Sequence, residues 1–393
     1  MLLCAACLAL ALGYSWRASA RRAALFDDAA LPEISNLTEL DIAPASLPSE
    51  AEDAPTEPVG LVGAVDDSPD DATPDDDRDP EPLSVPAREP DRVVVPTEAR
   101  EQAFLIRHTG LDASYGVMSV LRLGASGEDR RGTPLRCDRL HFVADRGVCL
   151  ATDRFYTTHS IMVFDRSFEP LHTLPLNGVP SRARLSRDGR RAAVTVFVSG
   201  HSYADEGFST ETSIIDTHTG ERIVRSLEEF EVRQGATRLR AADPNFWGVT
   251  FADDGDRFYA TLGTAGRTYL VAGRVSDRRV TVLREGVECP SLSPDQTRVA
   301  FKKRIPTGTD FVWRLHVLDL ATSIETPLAE TRHVDDQVEW LDDATILYAL
   351  PDASARTARV TDIWQVPADG LGEPELLLPH AFSPAVLQVD DFR

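Results

Sequence analysis

Ser291-Leu292-Ser293-Pro294-Asp295, followed by Arg298-Val299-Ala300-Phe301-Lys302, reads as a strand that runs into an acidic turn and restarts as an apolar strand. The arrangement returns as Arg184-Leu185-Ser186-Arg187-Asp188-Gly189 and as Val249-Thr250-Phe251-Ala252-Asp253-Asp254-Gly255, and more loosely as Val338-Glu339-Trp340-Leu341-Asp342-Asp343. Between these copies lies a second recurring element, a β-rich run closing on a turn. It appears as Ile161-Met162-Val163-Phe164-Asp165, Ser213-Ile214-Ile215-Asp216, Leu315-His316-Val317-Leu318-Asp319 and Ile363-Trp364-Gln365-Val366, with a weaker copy at Thr268-Tyr269-Leu270-Val271. Asp165 and Asp216 are 51 residues apart, and Asp216 and Asp319 are 103 apart, which is two units. A unit near 50 residues holds four short strands and their turns. Apolar residues at i, i+3 and i+4 are absent, which excludes a solenoid of helix pairs. Trp, Tyr, Phe, Val, Ile and Thr fill the runs, as half-buried pleated surfaces prefer. The pattern is that of a β-propeller.

Moving outward, the repeat is incomplete at both ends. Ala381-Phe382-Ser383-Pro384-Ala385 echoes the entry strand, yet the sequence ends at Arg393. Two strand candidates, Gln102 to Arg107 and Tyr115 to Leu123, precede the first full unit. A ring protects every sheet edge, so these N-terminal strands are expected to complete the blade begun by the C-terminus. Five internal units and one shared blade give an all-β propeller of about six four-stranded blades over residues 101–393.

The chain has 393 residues and a formal charge of −22, but the charge is unevenly placed. Residues 27–100 carry 21 Asp and Glu against 4 Arg, together with 12 of the 26 prolines. So little apolar surface cannot offset the entropy of ordering, and an extended acidic linker is expected there. No clustered basic face supports nucleic-acid binding. Within residues 1–26, the apolar Leu2 to Leu12 followed by Ala18-Ser19-Ala20 resembles a signal-peptide core and its cleavage site. The basic segment that normally precedes such a core is missing, and a start assigned too far downstream would explain this. Cleaved signal or uncleaved N-terminal anchor, either reading places the folded part outside the cytoplasm, and the second also ties it to the membrane. Asn36-Leu37-Thr38 matches a glycosylation sequon, a pattern frequent by chance.

The Leu-Ser-Pro-Asp turn before Arg298-Val299-Ala300-Phe301-Lys302 resembles the WD40-like (PD40) repeat of TolB-type β-propellers. Asn245-Phe246-Trp247-Gly248-Val249-Thr250-Phe251-Ala252, Val287-Glu288-Cys289-Pro290-Ser291-Leu292-Ser293-Pro294 and Trp313-Arg314-Leu315-His316-Val317-Leu318-Asp319 are similar to segments of TolB-like proteins of high-GC actinobacteria that are exported or membrane-anchored. The resemblance covers about residues 102–390. It implies an extracytoplasmic propeller that binds other macromolecules. TolB carries an α/β domain ahead of its propeller, and here the acidic segment occupies that place, so contacts made through that domain are not implied.

Cys137 and Cys149 could form a disulfide in an oxidising compartment, or could be small core residues; Cys289 has no adjacent His to activate it. The G-x-S-x-G elbow of serine hydrolases does not occur, and Ser199-Gly200-His201-Ser202 places neighbours that point apart. The paired acids Asp253-Asp254, Asp335-Asp336 and Asp342-Asp343 mostly read as strand-end turns, although residues of separate blades can converge at a propeller axis. No metal site and no cofactor is assigned. Lys302-Lys303-Arg304 reads as a solvated hairpin.

Two segments break the period, His201 to Phe208 and Leu227 to Asn245, and insertions in propellers are expected as loops on one face. They nominate Tyr203, Asp205, Arg233, Arg238, Arg240, Asn245 and Trp247 as binding residues, with Trp247 as an amphipathic interface anchor or else packed between blades. Two functions follow. One is a non-catalytic scaffold for a protein or cell-envelope ligand, displayed on a flexible acidic stalk. The other is a propeller hydrolase or lyase with a site in the central channel, with or without the assistance of a metal ion.

Overall fold

The computed structural model describes residues 102–124, 127–200, 202–203, 207–241, 243–308 and 310–387. The expected signal or anchor (1–26) and acidic linker (27–100) lie outside the described residues, as does Asp205.

Twenty-six strands form six sheets arranged as the blades of a ring. β1 (Gln102–His108), β2 (Val117–Gly124) and β3 (Gly127–Arg136) come first in the chain. The first complete blade is β4 (Arg139–Val143), β5 (Arg146–Thr152), β6 (His159–Asp165) and β7 (Pro170–Leu176). The second is β8 (Val179–Leu185), β9 (Arg191–Ser199), β10 (Ser209–Asp216) and β11 (Arg222–Val224). A hairpin of β12 (Glu231–Gln234) and β13 (Thr237–Leu239) then precedes the third blade, β14 (Asn245–Phe251), β15 (Arg257–Thr264), β16 (Arg267–Arg274) and β17 (Arg279–Glu285). The fourth blade is β18 (Glu288–Leu292), β19 (Arg298–Thr307), β20 (Asp310–Asp319) and β21 (Glu325–Pro327). The fifth is β22 (Glu339–Trp340), β23 (Thr345–Pro351), β24 (Thr361–Pro367) and β25 (Glu375–Leu378).

The last strand, β26 (Ala381–Leu387), pairs antiparallel with β1, with Leu105 opposite Ala385, and makes the innermost strand of the closing blade. The two ends of the repeat therefore share a sheet, and the ring is hydrogen-bonded shut. The number of blades and the mode of closure agree with the sequence reading.

The repeat holds because each blade buries both faces against its neighbours. Phe142, Leu140 and Phe164 pack against Leu105 and Met118 of the closing blade, and Leu150 and Ile161 against Val194 and Ile215. Ile214 and Val224 meet Phe246, Phe258 and Val271; Tyr259 and Leu270 meet Phe301 and Leu318. Ala300 and Leu315 meet Ile346 and Tyr348; Leu347 and Ile363 meet Phe104 and Leu121. Strands buried on both sides read as near-continuous apolar runs, which is why β9 and β15 show little alternation.

The recurring acids stabilise the turns. The Ser186 hydroxyl donates to Asp188 at 2.6 Å and accepts from the Arg191 amide at 2.9 Å, and Ser293 repeats the device with Asp295 and Arg298. Gly189 and Gly255 sit at φ near +69° and +63° in these turns, and Gln296 takes the same left-handed place at +60°. Asp216 and Asp319 each accept amide protons from the two or three residues that follow.

One expectation is corrected. The segment from Leu227 to Asn245 is not a loop on a face. After a 3-10 turn at Leu227–Glu229, β12 pairs in parallel with the outermost strand β17, with Val232 opposite Val280, so the third blade has six strands in the order β13-β12-β17-β16-β15-β14. The physical reason is apolar spacing: Leu227, Phe230 and Val232 are buried in the cluster between the second and third blades. That burial draws the insertion down the outside of the ring.

Candidate functional site

The innermost strand of each blade lies nearest the ring axis, and side chains pointing inward from these strands face one another across it. Several are charged. Arg139 and His141 come from β4, Arg182 and Arg184 from β8, Glu288 from β18 and Glu339 from β22, with Asp335, Asp336 and Gln337 from the chain just before β22. Lys302 enters from β19. Of these, Arg139, His141, Arg182, Arg184, Asp336, Gln337 and Glu339 line a cavity of ≈ 310 Å³, counting the space open to solvent, together with Ser383 and Pro384 of β26; Lys302, Asp335 and Glu288 lie beyond its wall.

Apart from Asp335, which is exposed, these charges are buried or nearly so, and each of those must find a counter-charge or a hydrogen bond. Arg139 Nη1 donates to Asp336 Oδ1 at 3.0 Å, and its guanidinium lies 4.2 Å over the Phe382 ring. Arg182 Nη2 reaches Asp335 at 3.4 Å and its Nη1 donates to the Ser181 carbonyl at 3.0 Å. The Lys302 ammonium, with no side-chain exposure, is bonded to Asp335 and stands 3.7 Å over Trp313. Arg184 is bonded to Glu339 through Nη1 and donates to the Val338 carbonyl at 2.8 Å through Nη2. His141 Nδ1 accepts from the Leu185 amide at 3.2 Å, and its Nε2 lies 3.1 Å from Arg184 Nη1 and 3.5 Å from Glu339. Gln337 Nε2 donates to the Val249 and Pro290 carbonyls at 3.1 and 3.0 Å, tying the third and fourth blades to the fifth.

The electrostatics follow from burial opposed by partners. Burial, with Arg184 beside it, lowers the His141 pKa below its ordinary value despite Glu339, so the ring is neutral at pH 7. Against burial, Lys302 and Arg182 hold Asp335 down at about 2. Against burial, Arg184 and then His141 hold Glu339 below the usual carboxylate range. Such an array locks blades together across the axis. Among the described residues, no group of three or more His, Cys, Asp or Glu is placed to hold a metal ion.

Beside the axis lies an aromatic cluster of Phe197, Tyr203, Trp247 and Trp313, flanked by Phe208 and Phe311. Tyr203 stacks on Trp247 at 5.0 Å between ring centroids, and its hydroxyl is 2.5 Å from Ser181 Oγ. Trp247 is 0% and Tyr203 2% exposed, so neither is the surface anchor that their aromatic character suggested. Trp247 lies on the innermost strand of its blade, where outward presentation is closed off. The fully buried Glu288 accepts from Trp313 Nε1 at 3.1 Å and from Arg304 Nε at 2.6 Å.

The Lys302-Lys303-Arg304 cluster is likewise not a solvated hairpin. Strand alternation sends Lys302 and Arg304 inward to Asp335 and Glu288, while Lys303 reaches Glu325 at 2.7 Å on the other side. Asn245 takes the Thr210 amide at 2.8 Å and donates to the Asp243 carbonyl, fixing the end of the insertion.

Arg233, Arg238 and Arg240 lie along the outer edge of the third blade. Arg233 is bonded to Glu231, while Arg238 at 3.9 Å and Arg279 at 3.8 Å approach the same carboxylate. Arg238 is 64% and Arg279 47% exposed at the side chain. The structure thus splits the nominated residues between a buried aromatic core and an exposed basic edge.

The axial charges were missed in the sequence. Their signal was present: Arg139-Leu140-His141-Phe142 and Arg182-Ala183-Arg184-Leu185 alternate polar with apolar in strands whose neighbours do not.

The cysteines close another junction. Cys137, in the crossing from the closing blade to the first, is disulfide-bonded to Cys149 of β5 with 5.4 Å between Cα atoms, and Cys289 is a buried free thiol. The chain bends after β3 so that Cys137 reaches past the end of β4, where the Asp138 amide donates to the Leu150 carbonyl. Among the described residues no helix is long and apolar enough to cross a membrane.

No family model matches the chain, and no curated protein matches it. Solved structures do. TolB from Acinetobacter baumannii is 17% identical with a TM-score of 0.47, covering 73% of this chain, which spans 66% of that protein's length. A putative TolB from Agrobacterium tumefaciens is 11% identical with a TM-score of 0.43, over 72% of this chain and 91% of that one. A chain of a nidogen/laminin complex is 12% identical with a TM-score of 0.48, over 72% and 98%. At these identities the likeness is one of chain fold alone.

Proposed function

We propose that this chain is a non-catalytic, extracytoplasmic binding propeller of TolB-like type, displayed on the acidic, proline-rich segment 27–100, with a protein or cell-envelope component as its ligand. Residues 1–26 would serve as export signal or membrane anchor. The observation that supports this most is the division of labour among charged residues. The axial groups are engaged in pairing blade with blade, whereas the β12–β13 hairpin is additional to the four strands that the ring requires. That hairpin presents Arg233 and Arg238, with Arg279 of the adjoining β17, around a single carboxylate, Glu231, and Arg240 follows β13. An edge with more cations than acids suits an anionic surface on a partner. An axial carboxyl acting as proton donor in hydrolase or lyase chemistry would have to hold its proton near neutrality, and Asp335 and Glu339 are held low instead.

The test is crosslinking on intact cells with the full chain. Arg238→Glu combined with Arg279→Glu is expected to abolish the crosslinked species at unchanged expression. Arg154→Glu, an exposed charge reversal on the first blade, is expected to leave it intact. Equal crosslinking by all three proteins would refute the basic edge as the binding surface.

A further inference from the structure

The charges around the axial cavity do not sum to zero. Four cations, Arg139, Arg182, Arg184 and Lys302, face three carboxylates, Asp335, Asp336 and Glu339. The other buried pair nearby, Glu288 with Arg304, is balanced in itself. His141 contributes no charge, because burial and Arg184 keep it neutral at pH 7. One positive charge is therefore left in a place where an uncompensated charge is strongly disfavoured.

Two further observations locate it. Arg182 and Arg184 are 5% and 9% exposed, both line the cavity, and among the described residues the Nε–H of neither meets an acceptor. Arg139 lines the same cavity, and burial followed by the repulsion of Arg182 lowers its pKa. A bound anion would relieve that repulsion. The cavity is partly open to solvent and has room for at least one water-sized particle. A water molecule would fill the space but leave the charge.

We propose that the axial cavity binds one halide-sized monovalent anion, chloride under ordinary conditions, between Arg139 and the Arg182–Arg184 pair. The anion accepts hydrogen bonds from guanidinium groups of the first and second blades and completes the charge balance of the axis. It acts as a fastener of the ring, separate from the basic outer edge of the third blade.

The test uses the full chain in sodium chloride against sodium gluconate at constant ionic strength. The melting temperature should rise saturably with chloride, by roughly 5 °C at a hundredfold excess over the dissociation constant. Bromide should substitute for chloride. In Arg182→Met, which leaves three cations for three carboxylates, the chloride increment should vanish. Identical melting in both salts, or the same chloride increment in wild type and Arg182→Met, would overturn the proposal. If Arg182→Met does not fold, crystals of the wild type grown in bromide decide. An anomalous peak within hydrogen-bond reach of Arg182 supports the site, and its absence rejects it.

Discussion

Arg184→Met should destabilise the ring by about 3–4 kcal/mol. The side chains of Arg184 and Glu339 are 11% and 16% exposed, and the pair joins the second blade to the fifth across the axis. Removing one partner of a buried pair costs about 3–5 kcal/mol, and the slight exposure here puts the loss at the lower end. The Val338 carbonyl also loses its donor, worth about 1 kcal/mol, which methionine packing partly offsets. For a domain of this size that corresponds to a melting temperature lower by roughly 6–15 °C. Most of the loss arises from Glu339, which would keep its charge in a buried place with only His141 at 3.5 Å. Glu339→Gln in the same chain removes that charge, so the double variant should recover at least about 2 kcal/mol of the loss predicted from adding the single ones. Urea unfolding at pH 7, followed by tryptophan fluorescence, measures all four proteins of the cycle. A loss below about 1 kcal/mol for Arg184→Met, or strict additivity in the double variant, would refute the claim that this pair fastens the blades.

Three further outcomes follow from the same structure. A chain ending at Leu378 lacks β26, whose Ala381, Ala385 and Leu387 are buried; its loss should cost at least about 4 kcal/mol and broaden unfolding, and a melt like that of the full chain would sink the closure model. Glu228 accepts from the Phe246 and Thr212 amides and the Ser226 hydroxyl, and burial raises its pKa to about 7. The folded state therefore binds more protons than the unfolded one between about pH 4.5 and 7, so this group's contribution falls as pH rises through that window, by up to about 3 kcal/mol; Glu228→Gln should abolish that slope in urea midpoints compared at pH 5 and 7.5. Reducing the Cys137–Cys149 bond, which closes a separation of 12 residues, should lower stability by about 3 kcal/mol. Cys289→Ser should leave that decrement unchanged in melts run with and without reductant.

Much of the architecture could be read before folding because propellers repeat local chemistry. The Ser186–Asp188 and Ser293–Asp295 turns close on themselves within five residues, so their spacing counts blades directly. The echo at Ala381 to Ala385 likewise announced that the last strand belongs with the first. The Leu227 to Asn245 insertion was visible as an interruption, but its destination was not. Phe230 and Val232 seek apolar cover, and whether that cover lies on a face or down an outer edge depends on which neighbour exposes Phe258 and Val280. Trp247 shows the same limit: an aromatic next to a polar insertion suits an interface and an interior equally, and its place on an innermost strand decided for the interior.

Residues close together in the chain define the blade: strands of a given length, turns closed by Ser, Asp and Gly, and a count of repeats long enough to shut a ring. These depend on contacts between residues near one another in the chain. The axis, by contrast, is set by contacts between residues far apart in the chain. Arg184 and Glu339 are 155 residues apart, Arg182 and Asp335 153, and Arg139 and Asp336 197. Period-two alternation could say that these side chains share an inward face. Which of them meet, and that one positive charge is left among them, depends on how far each blade is displaced along the axis when interlocking apolar faces close the ring.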